Sequence, residues 1–404
     1  MKSTQKETSH RTSILAVLMI AGLFGDPQQY IRPVQPGEPA IPITLHKRKE
    51  PRWISVNPLK AARFDHSATL LPNGNVFVAG GFGDGMMLSS CELFDPETGT
   101  WTPTGKLNKA RQRHTATLLK NGKVLVVGGA PSDPRKYDAS AELYDPATGT
   151  CRLTGSLKVG RIHHTATLLA DGRVLVAAGY DGQTPLSSAE VYDPASETWR
   201  KAAGLKEDRM NAAATLLRDG KVLVTGGAGT NGTSSAELYD PDKDTWKKTG
   251  SMNINRWFHT ATLLTSGKIL VEEGAGYPFS TDSRNRASAE LYDPAVGKWT
   301  RTASVGKDRN SHTATLLPNG KVLIVGGDPF GDQGGILPGG GRLVSTELYD
   351  PITETWRAWA NMNASRALHT TTLLLNGRLL VVGGISNNVA LRSAEMIDVT
   401  RLDE

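Results

Sequence analysis

Cysteine is scarce in this 404-residue sequence, and so are long apolar runs and clusters of one charge. With only Cys91 and Cys151 available, the chain has no multi-disulfide scaffold, and two cysteines leave the compartment open. The formal charge is +6, but the 46 basic residues are spread along the chain and form no Lys/Arg block. We therefore expect a solvated basic surface and no nucleic-acid binding.

Recognisable catalytic and cofactor motifs are also missing. The sequence contains no glycine-rich phosphate loop opening a helix, no Cys/His spacing typical of a metal site and no nucleophile elbow. We therefore expect no cofactor, no metal and no catalytic residues of these kinds.

The first 51 residues differ in composition from the rest. Basic residues precede an apolar run at positions 14–24, which is about half of the ~20 residues that a membrane helix needs. Residues 1–25 are therefore predicted to be a signal-peptide-like segment, with no membrane span in the mature chain. Residues 26–51 form a proline-rich linker. We expect a secreted or envelope protein, or a cytoplasmic one if the segment is not a signal.

Turn residues are abundant, with 43 Gly and 22 Pro, and they belong to one phrase that recurs at intervals of 47 to 57 residues. Each copy opens with an arginine: Arg63, Arg111, Arg161, Arg209, Arg256, Arg309 and Arg366. Three positions later stands His66, His114, His164, Ala212, His259, His312 or His369, followed by an alternating segment that predicts a strand.

Four strands are predicted in each copy. A dipeptide such as Asn73-Gly74 or Asp171-Gly172 predicts a two-residue type I′ hairpin turn after the first strand. The second strand is apolar throughout and ends at a Gly-Gly pair, the third reads Ala-Glu-Leu-Tyr-Asp-Pro, and the fourth begins with a tryptophan. Four short antiparallel strands in about 50 residues are typical of one propeller blade.

The seventh copy lacks its fourth strand, and that strand is found at the other end. Trp53 lies ten residues before Arg63, the spacing that separates Trp101 from Arg111. We therefore predict an all-β fold over residues 52–404. It is a seven-bladed β-propeller of four-stranded antiparallel blades, whose last blade is closed by the N-terminal strand, which removes an open sheet edge.

The Gly-Gly pair, the Tyr-Asp-Pro phrase and the tryptophan six residues later resemble the kelch-repeat family, in seven registered copies. The resemblance implies a kelch propeller. The blade pattern is also similar to galactose oxidase-like propellers, whose copper site needs a Cys–Tyr cross-link, a second Tyr and two His. Here both cysteines occupy scaffold positions and His163 is the only propeller histidine outside the regular six, so no copper site is expected.

Residues that occur once in each blade are interpreted as scaffold. Each repeat arginine is expected to pair with a third-strand carboxylate, within or between blades: Glu92, Glu142, Glu190, Glu237, Glu290, Glu347 or Glu395. The histidines and the two cysteines are expected to be structural, the cysteines as small buried hydrophobic residues. The tryptophans are expected to pack between blades: Trp53, Trp101, Trp199, Trp246, Trp299 and Trp356.

Departures from the repeat concentrate on one face, which carries the loops after the second and fourth strands. Aromatic, arginine and acidic side chains there suit a sugar, peptide or protein surface. The candidate ligand-binding residues are Trp257, Phe258, Tyr277, Phe279, Arg284, Arg286, Glu272, Glu273, His163, Phe330, Asp332, Arg135 and Tyr137.

The sequence thus favours a non-catalytic binding module that presents variable loops to a protein or polysaccharide ligand. The alternative is an extracellular carbohydrate-active enzyme on the same scaffold, which is not a copper oxidase and uses residues such as Glu272 or His163. An intracellular adaptor that recruits ubiquitin ligases is disfavoured, because such kelch proteins place an interaction domain before the propeller and only residues 1–52 precede Trp53.

Overall fold

A computed structural model describes residues 51–131, 137–230, 233–274, 287–329 and 341–400. The chain divides into two units, Met1–Glu50 and Pro51–Glu404, and the described residues all belong to the second. Within these ranges every regular element is a β-strand. No helix among them is long and apolar enough to cross a bilayer.

The strands follow one another in chain order as β1 (Ile54–Val56), β2 (Ser67–Leu70), β3 (Val76–Ala79), β4 (Phe82–Gly83), β5 (Met86–Met87), β6 (Cys91–Asp95), β7 (Thr100–Thr104), β8 (Thr115–Leu118), β9 (Val124–Val127), β10 (Ala141–Asp145), β11 (Thr150–Thr154), β12 (Thr165–Leu168), β13 (Val174–Ala177), β14 (Ala189–Asp193), β15 (Thr198–Ala202), β16 (Ala213–Leu216), β17 (Val222–Thr225), β18 (Ala236–Asp240), β19 (Thr245–Lys248), β20 (Thr260–Leu263), β21 (Ile269–Glu272), β22 (Ala289–Asp293), β23 (Lys298–Thr302), β24 (Thr313–Leu316), β25 (Val322–Val325), β26 (Thr346–Asp350), β27 (Thr355–Ala358), β28 (Thr370–Leu373), β29 (Arg378–Val382), β30 (Ile385–Ser386), β31 (Val389–Ala390) and β32 (Ala394–Asp398).

Most of these strands form seven four-stranded antiparallel sheets, as predicted, and the other four form two two-stranded sheets, β4–β5 and β30–β31. Blade 1 contains β2, β3, β6 and β7, and blades 2 to 6 each contain four consecutive strands, β8–β11 through β24–β27. Blade 7 contains β28, β29, β32 and β1. The first strand of each blade lies beside the first strands of both neighbouring blades, and β2 lies beside β28, so these strands form a closed inner ring.

The hairpin after each first strand differs from the predicted two-residue type I′ turn. In blade 1 the Gly74 amide donates to the Leu71 carbonyl at 3.0 Å, and the Leu71 amide donates to Asn75. Gly74 has φ of +87°, whereas Asn73 does not have positive φ. The loop is therefore a type I turn followed by a left-handed glycine bulge. Pro72, with its fixed negative φ, fits the first central position of that turn and would not fit a type I′ turn.

The N-terminal strand closes the ring as predicted. Strand β1 pairs antiparallel with β32, with Ile54 opposite Met396 and Val56 opposite Ala394. Just before it, Trp53 is 4 % exposed, and its indole nitrogen donates to the Ala360 carbonyl of blade 6 at 2.9 Å. The first strand of the described chain therefore connects blade 7 to blade 6.

The core lies between the blades. The second strands, such as β3 and β9, are buried along their whole length, which fits their unbroken apolar sequence. The blade tryptophans contact the preceding blade: each indole nitrogen donates to a carbonyl there, in the pairs Trp101–Asn57, Trp199–Gly155, Trp246–Ala203, Trp299–Gly250 and Trp356–Ala303.

Trp53→Ala is expected to lower the free energy of unfolding by about 3 to 5 kcal/mol, because it removes a buried indole and its hydrogen bond at the ring closure. Ile54→Ala is the matched control, because the neighbouring Ile54 side chain is 58 % exposed. Urea unfolding followed by circular dichroism measures both. Equal losses in the two variants would contradict the proposed role of Trp53.

Candidate functional site

A buried ion pair anchors the start of every blade. The Arg63 guanidinium donates through Nη1 to the carbonyls of Gly80 (2.7 Å) and Ser90 (3.1 Å), and through Nη2 to Glu92 Oε1 (2.8 Å). The Glu92 carboxylate also accepts the backbone amides of Lys60 (2.7 Å) and Ala61 (3.2 Å). One arginine thus ties the incoming chain to the second and third strands of its blade.

The same pair recurs in all seven blades, always within a blade. The pairs are Arg63–Glu92, Arg111–Glu142, Arg161–Glu190, Arg209–Glu237, Arg256–Glu290, Arg309–Glu347 and Arg366–Glu395, with nitrogen–oxygen distances from 2.5 to 3.3 Å. Both side chains of each pair are nearly or fully buried. Opposite charges, together with the hydrogen bonds made by Nη1, Nη2 and the carboxylate, are what make such burial tolerable.

The histidine three positions later connects neighbouring blades. His114 Nε2 lies 2.9 Å from the Ser67 hydroxyl of blade 1, and His164 Nε2 lies 2.9 Å from the Thr115 hydroxyl of blade 2. Burial, reinforced by Arg111 and Arg63, lowers the pKa of His114 to about 3, so the ring is neutral at physiological pH. These histidines hold blades together, as expected.

Between the anchored arginine and the histidine, the chain makes a strained turn. The first intervening residue forms an antiparallel bridge, as where Phe64 and Phe82 exchange backbone hydrogen bonds of 3.0 and 2.9 Å. The second is left-handed in every blade, with φ between +52° and +56°: Asp65, Arg113, His163, Asn211, Phe258, Ser311 and Leu368. For residues other than glycine this conformation costs energy and is worth a functional explanation.

These seven residues, here named the axial ring, meet at the centre of the propeller. Neighbouring members are joined by backbone hydrogen bonds, such as Arg113 amide to Asp65 carbonyl (3.0 Å) and Asn211 amide to His163 carbonyl (3.1 Å). All seven line one cavity of about 330 Å³, together with the blade histidines. The repeat therefore places seven different side chains around this one cavity, here named the axial mouth.

One arc of the axial ring is polar. Arg113 Nε donates to Asp65 Oδ2 at 2.9 Å, although burial, as the larger effect, raises the Asp65 pKa. Next along the ring, His163 is hydrogen-bonded to Asn211, and burial lowers the His163 pKa to about 3. The mouth thus offers a charged pair, a neutral imidazole and an amide.

The remaining members are less polar, and a second cavity opens beside them. The Phe258 ring meets the His163 ring edge-on, with centroids 5.7 Å apart. A cleft of about 230 Å³ shares Arg113, Ser311 and Leu368 with the mouth. Its other lining residues are Phe64, Phe82, Gln112, Asn310, Asp328, Arg342, Ala367 and Ile385. Mouth and cleft therefore form one continuous surface.

Blade 5 departs from the repeat in a different way, because Glu272 and Glu273 replace an apolar residue and the first glycine. Both side chains are fully buried. Glu273 lies 3.5 Å from His312 Nδ1 and 3.3 Å from Arg309 Nε, and Glu272 accepts a hydrogen bond from Thr260. Burial raises the Glu272 pKa to about 8 and the Glu273 pKa well above its ordinary value.

The described candidates from the sequence fall into three places. His163 and Phe258 line the axial mouth, and Trp257 lies against Phe258 with ring centroids 5.1 Å apart. Tyr137 packs against Tyr180 at 5.9 Å. Glu272 and Glu273 are buried in the blade 5 cluster and line neither the mouth nor the cleft. The candidates outside the described residues are Arg135, Tyr277, Phe279, Arg284, Arg286, Phe330 and Asp332.

The sequence interpretation missed most of the axial ring. Asp65, Arg113, Ser311 and Leu368 were not singled out, and neither were the cleft residues Phe64 and Gln112. The signal was present: the two positions between each repeat arginine and the following histidine position hold different residues in all seven blades.

Three comparisons place the chain among known proteins. A family model for the KLHDC2/KLHL20/DRC7 Kelch-repeats domain matches residues 65–274, just over half of the chain. An F-box/kelch-repeat protein of Arabidopsis thaliana is 49 % identical over 51 residues, which is 12 % of this chain and 13 % of that protein. A fungal alcohol oxidase of the AA5 family, solved with copper, superposes with a TM-score of 0.71 at 18 % identity, covering 87 % of this chain and 76 % of that one.

The likeness to the copper-containing oxidase extends to the fold alone. Across the described ranges, no group of three or more His, Cys, Asp or Glu residues is placed to hold a metal ion. The residues lining the axial mouth include seven imidazoles, but the six of the repeat series are committed to inter-blade contacts, as His66 is to Thr370 at 3.0 Å. The residues present do not fit a copper centre.

Glu272→Gln is expected to change how stability depends on pH. The folded-state pKa of about 8 exceeds the ordinary value of 4.5, so the folded chain holds a proton that the unfolded chain releases. The contribution of Glu272 to the free energy of unfolding is therefore complete below pH 4.5 and is lost as the pH rises towards 8. The melting temperature of the glutamine variant, relative to that of wild type, should therefore rise between pH 5.5 and pH 8.5.

The control for this measurement is Glu97→Gln, which removes an exposed carboxylate from a surface turn. Differential scanning calorimetry across the same pH range should show no pH-dependent difference for that variant. A constant difference between Glu272→Gln and wild type at all pH values would contradict a proton held by the buried Glu272 carboxyl group.

Proposed function

We propose, on the premise that this chain belongs to the kelch-repeat family, that it is a binding module that recognises its ligand at the axial mouth and the adjoining cleft. The family and the propeller fold support a binding or scaffold role. The ligand is a projecting peptide segment of a partner protein or a short sugar chain, and the chain itself performs no chemistry on it.

The axial ring carries this proposal. Seven blades supply the same strained backbone position, which is the second of two residues between the constant arginine and the nearly constant histidine, and this residue differs in every blade. Variation at a geometrically fixed position that lines a cavity is typical of a recognition surface on a rigid scaffold.

The mouth fits a small polar element with one apolar part. Arg113 and Asp65 can each bind a group of opposite charge or a hydroxyl, while Asn211 can donate and accept hydrogen bonds. Phe258 offers an aromatic face on which a sugar ring or an apolar side chain can lie. A volume of about 330 Å³ admits one or two sugar units or a few peptide atoms, so the rest of the ligand would extend into the cleft.

The alternative of a carbohydrate-active enzyme requires an accessible acid or base. Glu272, with its raised pKa, is fully buried and lines neither the mouth nor the cleft. His163 does line the mouth, but its pKa of about 3 makes the imidazole a weak base. Both observations favour binding over catalysis.

Arg113→Ala and Phe258→Ala are each expected to weaken ligand binding at least tenfold, because both side chains line the mouth. The probes are a glycan array and a displayed random-peptide library, followed by calorimetry with the strongest probe of each kind. Leu375→Ala is the matched control, because Leu375 is 73 % exposed and lines a separate cavity among the hairpin turns.

Undiminished binding in both mouth variants, with loss in the Leu375 variant, would contradict the assignment of the site. Turnover of a bound glycan by the wild type would instead support the carbohydrate-active alternative.

We also propose that the ligand is met outside the cytoplasm. This rests on the signal-like composition of residues 1–25 and the proline-rich segment that follows. N-terminal sequencing of the chain recovered after expression with residues 1–51 intact should give a first residue beyond the apolar run at positions 14–24. An intact Met1 on all recovered protein would contradict export by a cleaved signal.

A further inference from the structure

Two scaffold positions meet at the interfaces between blades. The first residue of a third strand is usually alanine, and it packs in the same core cluster as the tryptophan that opens the fourth strand of the next blade. This holds for Ala141 with Trp199, Ala189 with Trp246, Ala236 with Trp299, Ala289 with Trp356 and Ala394 with Trp101. A small residue thus faces a large one across each of these interfaces.

The interface between blades 1 and 2 is the exception. There the alanine position holds Cys91 and the tryptophan position holds Cys151. The two side chains belong to one core cluster, with Cys91 among its buried members and Cys151 packed against it. They are the only cysteines among the 404 residues. Cys91 is larger than the usual alanine and Cys151 is smaller than the usual tryptophan. The two replacements together therefore keep the side chains in contact across this interface, which either replacement alone would not.

We propose that Cys91 and Cys151 form a disulfide bond that cross-links blades 1 and 2 in an oxidising environment. The positions belong to strands β6 and β11, in different sheets, so the bond would join two blades that otherwise touch only through side chains and connecting segments. These blades also supply the Asp65–Arg113 ion pair of the axial ring. The cross-link is independent of the proposed ligand site.

The oxidant is a small-molecule or protein disulfide. One cysteine thiolate attacks a sulfur of that disulfide, forming a mixed disulfide and releasing one thiolate. The second cysteine, after losing its proton, displaces the other half of the oxidant. Two thiols on this chain are oxidised, one external disulfide is reduced to two thiols, and two protons are transferred in all.

Accessibility decides when this exchange occurs. Cys91 is 2 % exposed and Cys151 is partly buried, with its thiol donating to the Gly105 carbonyl at 3.3 Å. The neighbouring Cys91 thiol, together with burial, raises the Cys151 pKa, so little thiolate is available in the folded chain. The bond is therefore formed during folding faster than in the folded protein.

The test is to refold the reduced full chain in a glutathione redox buffer and, in parallel, in dithiothreitol. After alkylation, a non-reducing tryptic digest should contain peptides 64–106 and 137–152 linked to each other, with the loss of two hydrogen atoms. The cross-linked protein should melt about 5 °C higher than the reduced protein, because the bond closes a long loop.

The control variants follow from the repeat itself. Cys91→Ala should abolish both the linked peptides and the redox-dependent shift in Tm. The double variant Cys91→Ala/Cys151→Trp restores the usual pair and should fold with a Tm that does not depend on the redox buffer. Recovery of both cysteines fully alkylated after refolding of the wild type in glutathione, or linked only between two chains, would overturn the proposal.

Discussion

The fold depends on a buried ion pair repeated seven times. Each repeat arginine satisfies two backbone carbonyls, one serine hydroxyl in the blade and one glutamate, which in turn accepts backbone amides of the incoming chain. Breaking one member would leave an uncompensated charge in the core, which is more costly than never having buried the pair. The turn into each blade is thereby fixed in position, whatever residue stands at its tip.

That fixed turn explains how a repetitive scaffold obtains a non-repetitive site. The chain is held on one side by the arginine and on the other by the histidine bonded to the preceding blade, and the second of the two residues between them is forced into left-handed backbone. Because the conformation is imposed by its neighbours, the side chain at this position is free to vary. Charge, amide, imidazole and aromatic groups therefore meet at one mouth without any change in the surrounding sheets.

The architecture could be predicted from the sequence because it is carried by periodic residues: the blade count, the Arg–Glu pairs, the tryptophan contacts and the closing strand at Trp53. The hairpin type was wrong, because Asn73-Gly74 was interpreted without Pro72, whose φ selects a type I turn with a glycine bulge. Most of the axial ring was missed, because a left-handed backbone conformation at residues such as Asp65 or Leu368 cannot be recognised from the residue type. Glu272 and Glu273 were recognised as unusual, but their full burial depends on packing between blades.

The closing strand also constrains the order of folding. Strand β1 is made before every other strand of the propeller, yet its partner β32 is made last. Until both β1 and β32 exist, the propeller has two unpaired strand edges. Joining them requires the closure of a loop that spans nearly the whole propeller. Local hairpins can form as the chain emerges, but the final contact is of the highest sequence separation that the fold contains. A ribosome-bound chain would therefore carry an incomplete ring until synthesis has passed β32, and chaperone protection is most needed during that interval.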